Sequence, residues 1–239
     1  MSVDKKKLKE RLEQIWERPD FSSFFKNKFN KKPNRVKKGT ILFNEDDETG
    51  KIFFIKKGFV KLYRLSEDGR ETIIYLYGPG SFLGVRALIS NDKSHKHTAE
   101  ALTDMEIVTV PRNEYFDVLA SNPEYIVDFL HIFISRLNYT ERRLQGFITT
   151  DTTARIAIFL SDVARRFCKE AFYKNEVISL PLKLTHQQIG EFVGALRETV
   201  TVSLNKLEKE SIIKDEKGKI TILELKRLNE YASNHRNNL

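Results

Sequence analysis

Residues 185–209 read THQQIGEFVGALRETVTVSLNKLEK, and this stretch decides the fold. Thr185 followed three residues later by Gln188 is a capping-box pattern, which marks a helix N-terminus. Ile189, Phe192 and Val193 give that helix a short apolar face. Gly194 then permits a turn that a residue with a Cβ resists. A second helix begins at Leu196 or Arg197. Val200, Leu204 and Leu207 lie four and three residues apart and are expected inside, which turns Arg197, Glu198, Thr201 and Val202 outward over the first turns. Two short helices, a glycine-bearing turn and a polar start to the second helix make a helix-turn-helix. The chemistry suits duplex DNA. An Arg in the major groove donates two hydrogen bonds to guanine, a Glu accepts from cytosine, and Thr hydroxyls reach phosphates. Ile212-Ile213-Lys214 and Ile220-Thr221-Ile222, joined through Asp215 to Lys219, read as a hairpin wing with Lys217 and Lys219 near its tip.

Upstream, residues 177–181 look strand-like. Before them a helix from Asp151 or Thr152 to about Lys169 carries Ile156, Phe159, Leu160, Val163, Ala164 and Phe167 on one side. Asn122-Pro123 signals the start of a long helix. Along it Ile126, Leu130, Phe133, Leu137, Leu144 and Phe147 step by three, four or seven, with Thr140 interrupting. That stripe is expected to be a dimer seam, which implies two-fold symmetry. A short helix over Asn113 to Leu119 precedes it.

Residues 36–110 have a different texture. Short apolar runs at Ile41–Phe43, Ile52–Ile55, Val60–Leu65, Thr72–Tyr77, Phe82–Leu83 and Glu106–Val110 alternate with turn signals such as Lys57-Gly58, Gly78-Pro79-Gly80 and Asn91-Asp92. Asp68-Gly69 between two strand-like runs is a hairpin signal. Many short strands at regular spacing indicate an antiparallel sandwich or barrel and disfavour a parallel α/β fold. At the N-terminus, residues 3–18 read as an amphipathic helix. Phe21, Phe24, Phe25 and Phe29 read as a packing face.

Composition narrows the class. The 239 residues are 40% hydrophobic and 31% charged, enough apolar material for one large or two modest cores. Forty-one basic and 33 acidic residues give a net charge of +8, distributed as +8 over residues 1–38, −3 over 39–148 and +3 over 149–239. A polyanion is therefore expected at the ends of the chain rather than its middle. The single Cys168 cannot form an internal disulfide or supply a cysteine-rich metal site. The absence of a signal-peptide pattern or an 18-residue apolar run leads to the expectation of a cytoplasmic protein without a membrane span.

The sequence resembles the Crp/Fnr family of transcription regulators over about residues 36–225. In the first half the likeness rests on Lys56-Lys57-Gly58 before Val60-Lys61-Leu62, on Ser66-Glu67-Asp68-Gly69-Arg70-Glu71, and on Gly78-Pro79-Gly80-Ser81-Phe82-Leu83-Gly84. In the second half it rests on Leu184-Thr185-His186-Gln187-Gln188-Ile189-Gly190 and Gly194-Ala195-Leu196-Arg197-Glu198-Thr199-Val200. The resemblance implies an α+β chain. Residues 1–120 would form an effector-sensing antiparallel β-roll (double-stranded β-helix or jelly roll) with N-terminal helices. Residues 121–148 would form a dimerisation helix, and 149–239 a winged helix-turn-helix. It also implies a homodimer on a palindromic promoter site, contact with RNA polymerase, and no catalytic residues or cofactor.

Departures from the family pattern are informative. Cyclic AMP sensors of the family carry a cassette close to Gly-Glu-Leu-Ala-Leu and then Arg-Ser-Ala. Here Gly84-Val85-Arg86-Ala87-Leu88 puts Val85 where the ribose-binding Glu belongs, and His95 and Lys96 align with the Arg-Ser pair. A neutral imidazole does not replace a bidentate guanidinium. The effector is therefore expected to be something other than cyclic AMP. The N-terminal cysteines of the family's iron–sulfur sensors are absent. Family members that bind small organic acids, among them chlorophenol-binding regulators of organohalide respiration, suggest a small organic or anionic effector. Gly84, Val85, Arg86, Tyr75, Phe82, His95 and Lys96 are the candidate contacts. On the DNA side Arg197, Glu198, Thr201 and Val202 are candidate base readers, and Thr185, Gln187, Thr199 and Lys219 candidate phosphate contacts. Val202 stands where the family has a second Arg, removing a bidentate contact worth about 1–3 kcal/mol of discrimination. Four alternatives stay open: haem on His95 or His97, a regulator with no ligand, a protein-interaction module that does not bind DNA, and a cupin-like metal enzyme. The last reading uses His95, His97 and Glu100, whose spacing does not fit a cupin, with the third His falling at His131 in the long helix.

Overall fold

The computed structural model describes Lys6 and residues 31–86, 94–122 and 125–234. The expected helix over 3–18, the Phe21–Phe29 stripe, the Asn91-Asp92 turn and the Pro123 helix start lie outside these residues. The chain divides into two compact units. One runs to Leu62 and resumes over Leu76–Tyr139; the other joins Tyr63–Tyr75 to the chain from Thr140 onward.

Among the described residues, eight strands form before the helix at Arg112–Ser121. They are β1 (Asn34–Val36), β2 (Ile41–Phe43), β3 (Lys51–Lys57), β4 (Val60–Leu65), β5 (Glu71–Tyr77), β6 (Phe82–Leu83), β7 (Thr98–Ala101) and β8 (Met105–Pro111), with β4 and β5 running into the segment that belongs to the second unit. They assemble into two four-stranded sheets in the orders β1-β8-β3-β6 and β2-β7-β4-β5, and the registered pairs are antiparallel. The long β3–β8 ladder sets Ile52 opposite Val110 and Phe54 opposite Val108. Ile52 through Ile55 are all buried. That is why β3 reads as a continuous apolar run rather than an alternation: both its faces are covered. A core of Ile52, Phe54, Phe82, Val85, Val108 and Val110 is closed by Tyr115 and Leu119. Both come from α1 (Arg112–Ser121). Burial holds the Tyr115 phenol well above the ordinary tyrosine range. The short strands β1 and β7 were not expected. Neither contains an apolar run, and each exists because it pairs with a longer neighbour.

The long helix α2 (Tyr125–Thr149) follows. At 25 residues it is about 37 Å long. Among its described side chains, Ile126, Leu130, Ile134, Leu137, Leu144 and Ile148 are exposed. Phe133 is half-buried, with the Arg136 guanidinium 5.9 Å from its ring. Ile134 rather than Phe133 therefore continues the open stripe.

In the second unit Asp151 caps α3 (Thr152–Phe167), its carboxylate accepting from the Ala154 amide at 2.8 Å. Ile156, Phe159, Leu160 and Val163 fill the interior, as the periodicity predicts. Cys168 lies just past the helix, between it and α4 (Lys169–Lys174), and is half-buried; burial raises its pKa. Then come β9 (Ile178–Ser179), α5 (His186–Val193), α6 (Arg197–Lys209), β10 (Ile213–Glu216), β11 (Lys219–Ile222) and α7 (Leu225–Asn234). The three strands form one sheet in the order β10-β11-β9. No helix among the described residues is long and apolar enough to cross a membrane.

Candidate nucleic-acid interface

Helix α5 starts with both halves of the capping box: Thr185 Oγ1 accepts from the Gln188 amide at 3.1 Å and Gln188 Oε1 accepts from the Thr185 amide at 3.0 Å. The Thr185 hydroxyl keeps its own proton free to donate. Helix α5 stops at Gly194, whose φ of +64° places it in the left-handed region. A Cβ there would stand 2.7 Å from the ring of Phe147. The turn is thus fixed twice, by backbone sign and by an aromatic seated on it. Phe192 stacks on Phe159 with centroids 4.5 Å apart. Arg143 holds the same corner. Its guanidinium donates to the carbonyls of Ile74 at 2.6 Å and Ile73 at 3.1 Å, and to that of Phe192 at the end of α5.

Helix α6 is anchored by its buried side. Val200, Ser203, Leu204 and Leu207 are enclosed, and the Thr153 hydroxyl donates to Ser203 Oγ at 3.2 Å. Its opposite side is open. Arg197, Glu198, Thr199 and Val202 are exposed, Val202 by 69%. Leu196, at the N-cap position, makes no side-chain cap, so the first-turn amides depend on an outside acceptor. The wing turn carries Lys217 at φ +54° and Gly218 at φ +85°, and Lys217 and Lys219 are exposed beside it. Gln187 is exposed, and its side-chain Nε2 donates to Glu191 Oε1 at 3.0 Å.

Thr201 departs from expectation. Its hydroxyl donates to the Arg197 carbonyl at 2.9 Å and lies 2.8 Å from His186 Nδ1. Both commitments engage its hydroxyl, while the residue itself is half-exposed. His186, unremarked in the sequence, also places Nε2 3.0 Å from Asp215 Oδ2. No short-range signal marks this cluster, because its partners are 15 and 29 residues away.

The candidate effector residues are dispersed. Phe82 and Val85 are buried in the apolar core. Gly84 approaches His95: a Cβ built on it would lie 3.6 Å from the imidazole. His95 is only 5% exposed and stacks on Phe43 with centroids 3.7 Å apart. Its main chain is fixed by Asp46 and Asp47. Burial lowers its pKa, opposed in part by the charge of Asp47. Arg86 and Lys96 are exposed. Tyr75 belongs to the second unit, with the Arg166 guanidinium 4.4 Å from its ring centroid. Glu100, from the cupin-like reading, accepts an ion pair from the buried Lys61 at 3.2 Å. Sequence reading missed that Lys61 is buried.

Comparison with known proteins agrees with both halves. A cyclic nucleotide-binding domain family matches residues 33–122, and a Crp-like helix-turn-helix domain family matches residues 154–231. The CRP-like cAMP-activated global transcriptional regulator of Mycobacterium tuberculosis is 28% identical over 167 residues, 70% of this chain and 73% of that protein. The structure of FixK2 from Bradyrhizobium japonicum superposes with a TM-score of 0.72 at 22% identity, covering 84% of this chain and 96% of that one, and so shares the fold. The global nitrogen regulator of Nostoc sp. is 32% identical over 185 residues, 76% of this chain and 80% of that protein. On that identity, with both domain matches, the chain belongs to the Crp/Fnr family of transcription regulators.

Proposed function

We propose that the protein acts as a homodimeric, sequence-specific DNA-binding regulator, in the cytoplasm, and that it responds to a small effector other than cyclic AMP. The observation that carries the reading is the open leading edge of α6: Arg197 and Glu198 exposed at an uncapped helix start, backed by an enclosed apolar side. That edge enters the major groove, where Arg197 reads guanine and Glu198 its partner strand. Val202 meets a thymine methyl. Thr185, Gln187, Thr199 and Lys219 set the register on phosphates.

The exposed stripe on α2 supports the dimer. Leu130, Ile134, Leu137, Leu144 and Ile148 step by four, three, seven and four, the spacing of a two-stranded seam. A second copy is the natural cover for such a stripe, and two-fold pairing presents two recognition helices to a palindrome. RNA polymerase is the expected further partner on the promoter. Against cyclic AMP stands Val85, buried where a ribose-binding carboxylate is needed. Titration calorimetry tests this part directly: heat on adding cyclic AMP at micromolar concentration contradicts it. The DNA reading is tested by selecting duplexes from a random pool. A palindromic consensus is expected, and no enrichment at low salt contradicts it.

A further inference from the structure

Three elements of the proposed DNA surface meet at one imidazole. His186 opens α5, Thr201 sits one turn into α6, and Asp215 lies on β10 at the base of the wing. Nδ1 lies 2.8 Å from Thr201 Oγ1, within hydrogen-bond reach, with the donor set by the ring tautomer. Nε2 faces the Asp215 carboxylate at 3.0 Å, and a carboxylate only accepts. The other oxygen of Asp215 accepts from the Gly218 amide at 2.7 Å, which shapes the wing turn. The Asp215 amide donates to Glu208 Oε1 at 2.6 Å, a second tie from wing to α6. Gly218 then accepts from the Leu184 amide at 2.9 Å, and a Cβ on it would lie 2.7 Å from the Leu184 carbonyl. The wing tip is thereby closed onto the start of α5. His186 is partly shielded, its side chain 28% exposed, while that of Asp215 is 10% exposed.

We infer that His186 is a positioning residue that fixes the register of the wing against the recognition helix, with Thr201 as its anchor rather than as a DNA contact. The inference rests on the DNA reading of α6 and the wing. Its consequence is that the lysines beside the wing turn, Lys217 and Lys219, meet phosphates at a fixed distance from Arg197 only while the imidazole joins Thr201 to Asp215. Loosening it costs affinity through the wing, because a side chain must be held in place before it neutralises a particular phosphate.

The test is a double-mutant cycle on the full chain, read as affinity for the selected duplex and its salt dependence. His186→Phe keeps ring volume and removes both hydrogen bonds; Thr201→Val keeps shape and removes the anchor hydroxyl, and replaces it in the cycle if the Phe variant does not fold. In the otherwise native chain, Lys219→Ala is expected to weaken binding about threefold to tenfold and to lower the salt slope by about one. In the His186→Phe background the same change is expected to cost less than half as much on a logarithmic scale, and the Gly218 amide is expected to exchange its hydrogen faster. A destabilised but correctly registered domain would lower the thermal midpoint and leave the Lys219 effect intact. If Lys219→Ala costs the same with and without His186, the positioning role is overturned. If Lys219→Ala has no effect in the native chain, the wing's DNA contact itself fails.

Discussion

In the winged helix, the buried residues Val200, Leu204 and Leu207 alternate with exposed Arg197, Glu198 and Val202 on one short helix. In the β-roll, Phe82 and Val85, flanking Gly84, are themselves core, and Tyr75 is grouped with the other unit. The first region separates scaffold from contact surface by helical period, so its chemistry shows in the sequence. The second is built from strands covered on both faces, where a residue's neighbours in sequence do not disclose whether it faces a ligand or another strand. The candidate residues of the first region therefore share an open helix face, and those of the second are divided among core, surface and the other unit.

The largest expected effect falls on what joins two recognition helices. Leu137, 57% exposed in the middle of the α2 stripe, replaced by Glu should yield a monomer in sedimentation and cost roughly a hundredfold or more in operator affinity, the scale of lost bivalency. A dimer that persists unchanged would remove α2 from the seam. Next, Arg197→Ala should lose about 1–3 kcal/mol of discrimination at one base pair per half-site while binding to unrelated duplex changes less. Smaller again, Gly194→Ala meets both a φ of +64° and the Phe147 ring, and should lower the stability of the second unit by about 1–3 kcal/mol in denaturant titration. Unchanged stability would mean that Phe147 does not seat on the turn.

The smallest effect sharpens the β-roll side. Burial keeps His95 below its ordinary pKa, so the unfolded chain takes up the proton first as pH falls. The stability contributed by the neutral imidazole is fully present above about pH 6.5 and is lost as pH falls through the depressed folded value. His95→Phe, which preserves a ring against Phe43, should flatten that part of the stability–pH curve. If the native slope survives the substitution, another group is responsible.

Most of the fold was legible because apolar periodicity and turn residues are local. Strand β4, the long helix and the helix-turn-helix pair follow from spacing alone. Strands β1 and β7 did not, since Asn34-Arg35-Val36 and Thr98-Ala99-Glu100-Ala101 owe their conformation to ladders with distant partners. On α2, Phe133 and Ile134 fit the stripe equally well by spacing. Tyr77 and Phe82 decide between them. Arg136 donates to the Phe82 carbonyl at 3.1 Å and stacks on Tyr77, and this covers Phe133. Thr201 looked outward by helical angle. The imidazole that claims it was invisible, because no rule of spacing links a helix start to a strand 29 residues later.

The central claim is that the leading edge of α6 reads base pairs. The most direct measurement is a competition titration of native protein and Arg197→Ala on the selected palindrome and on duplexes altered at one symmetric position at a time. The account predicts that the native protein loses affinity at the position assigned to Arg197, and that the variant no longer distinguishes that position while still distinguishing the others. Identical discrimination by both proteins at every position would contradict it.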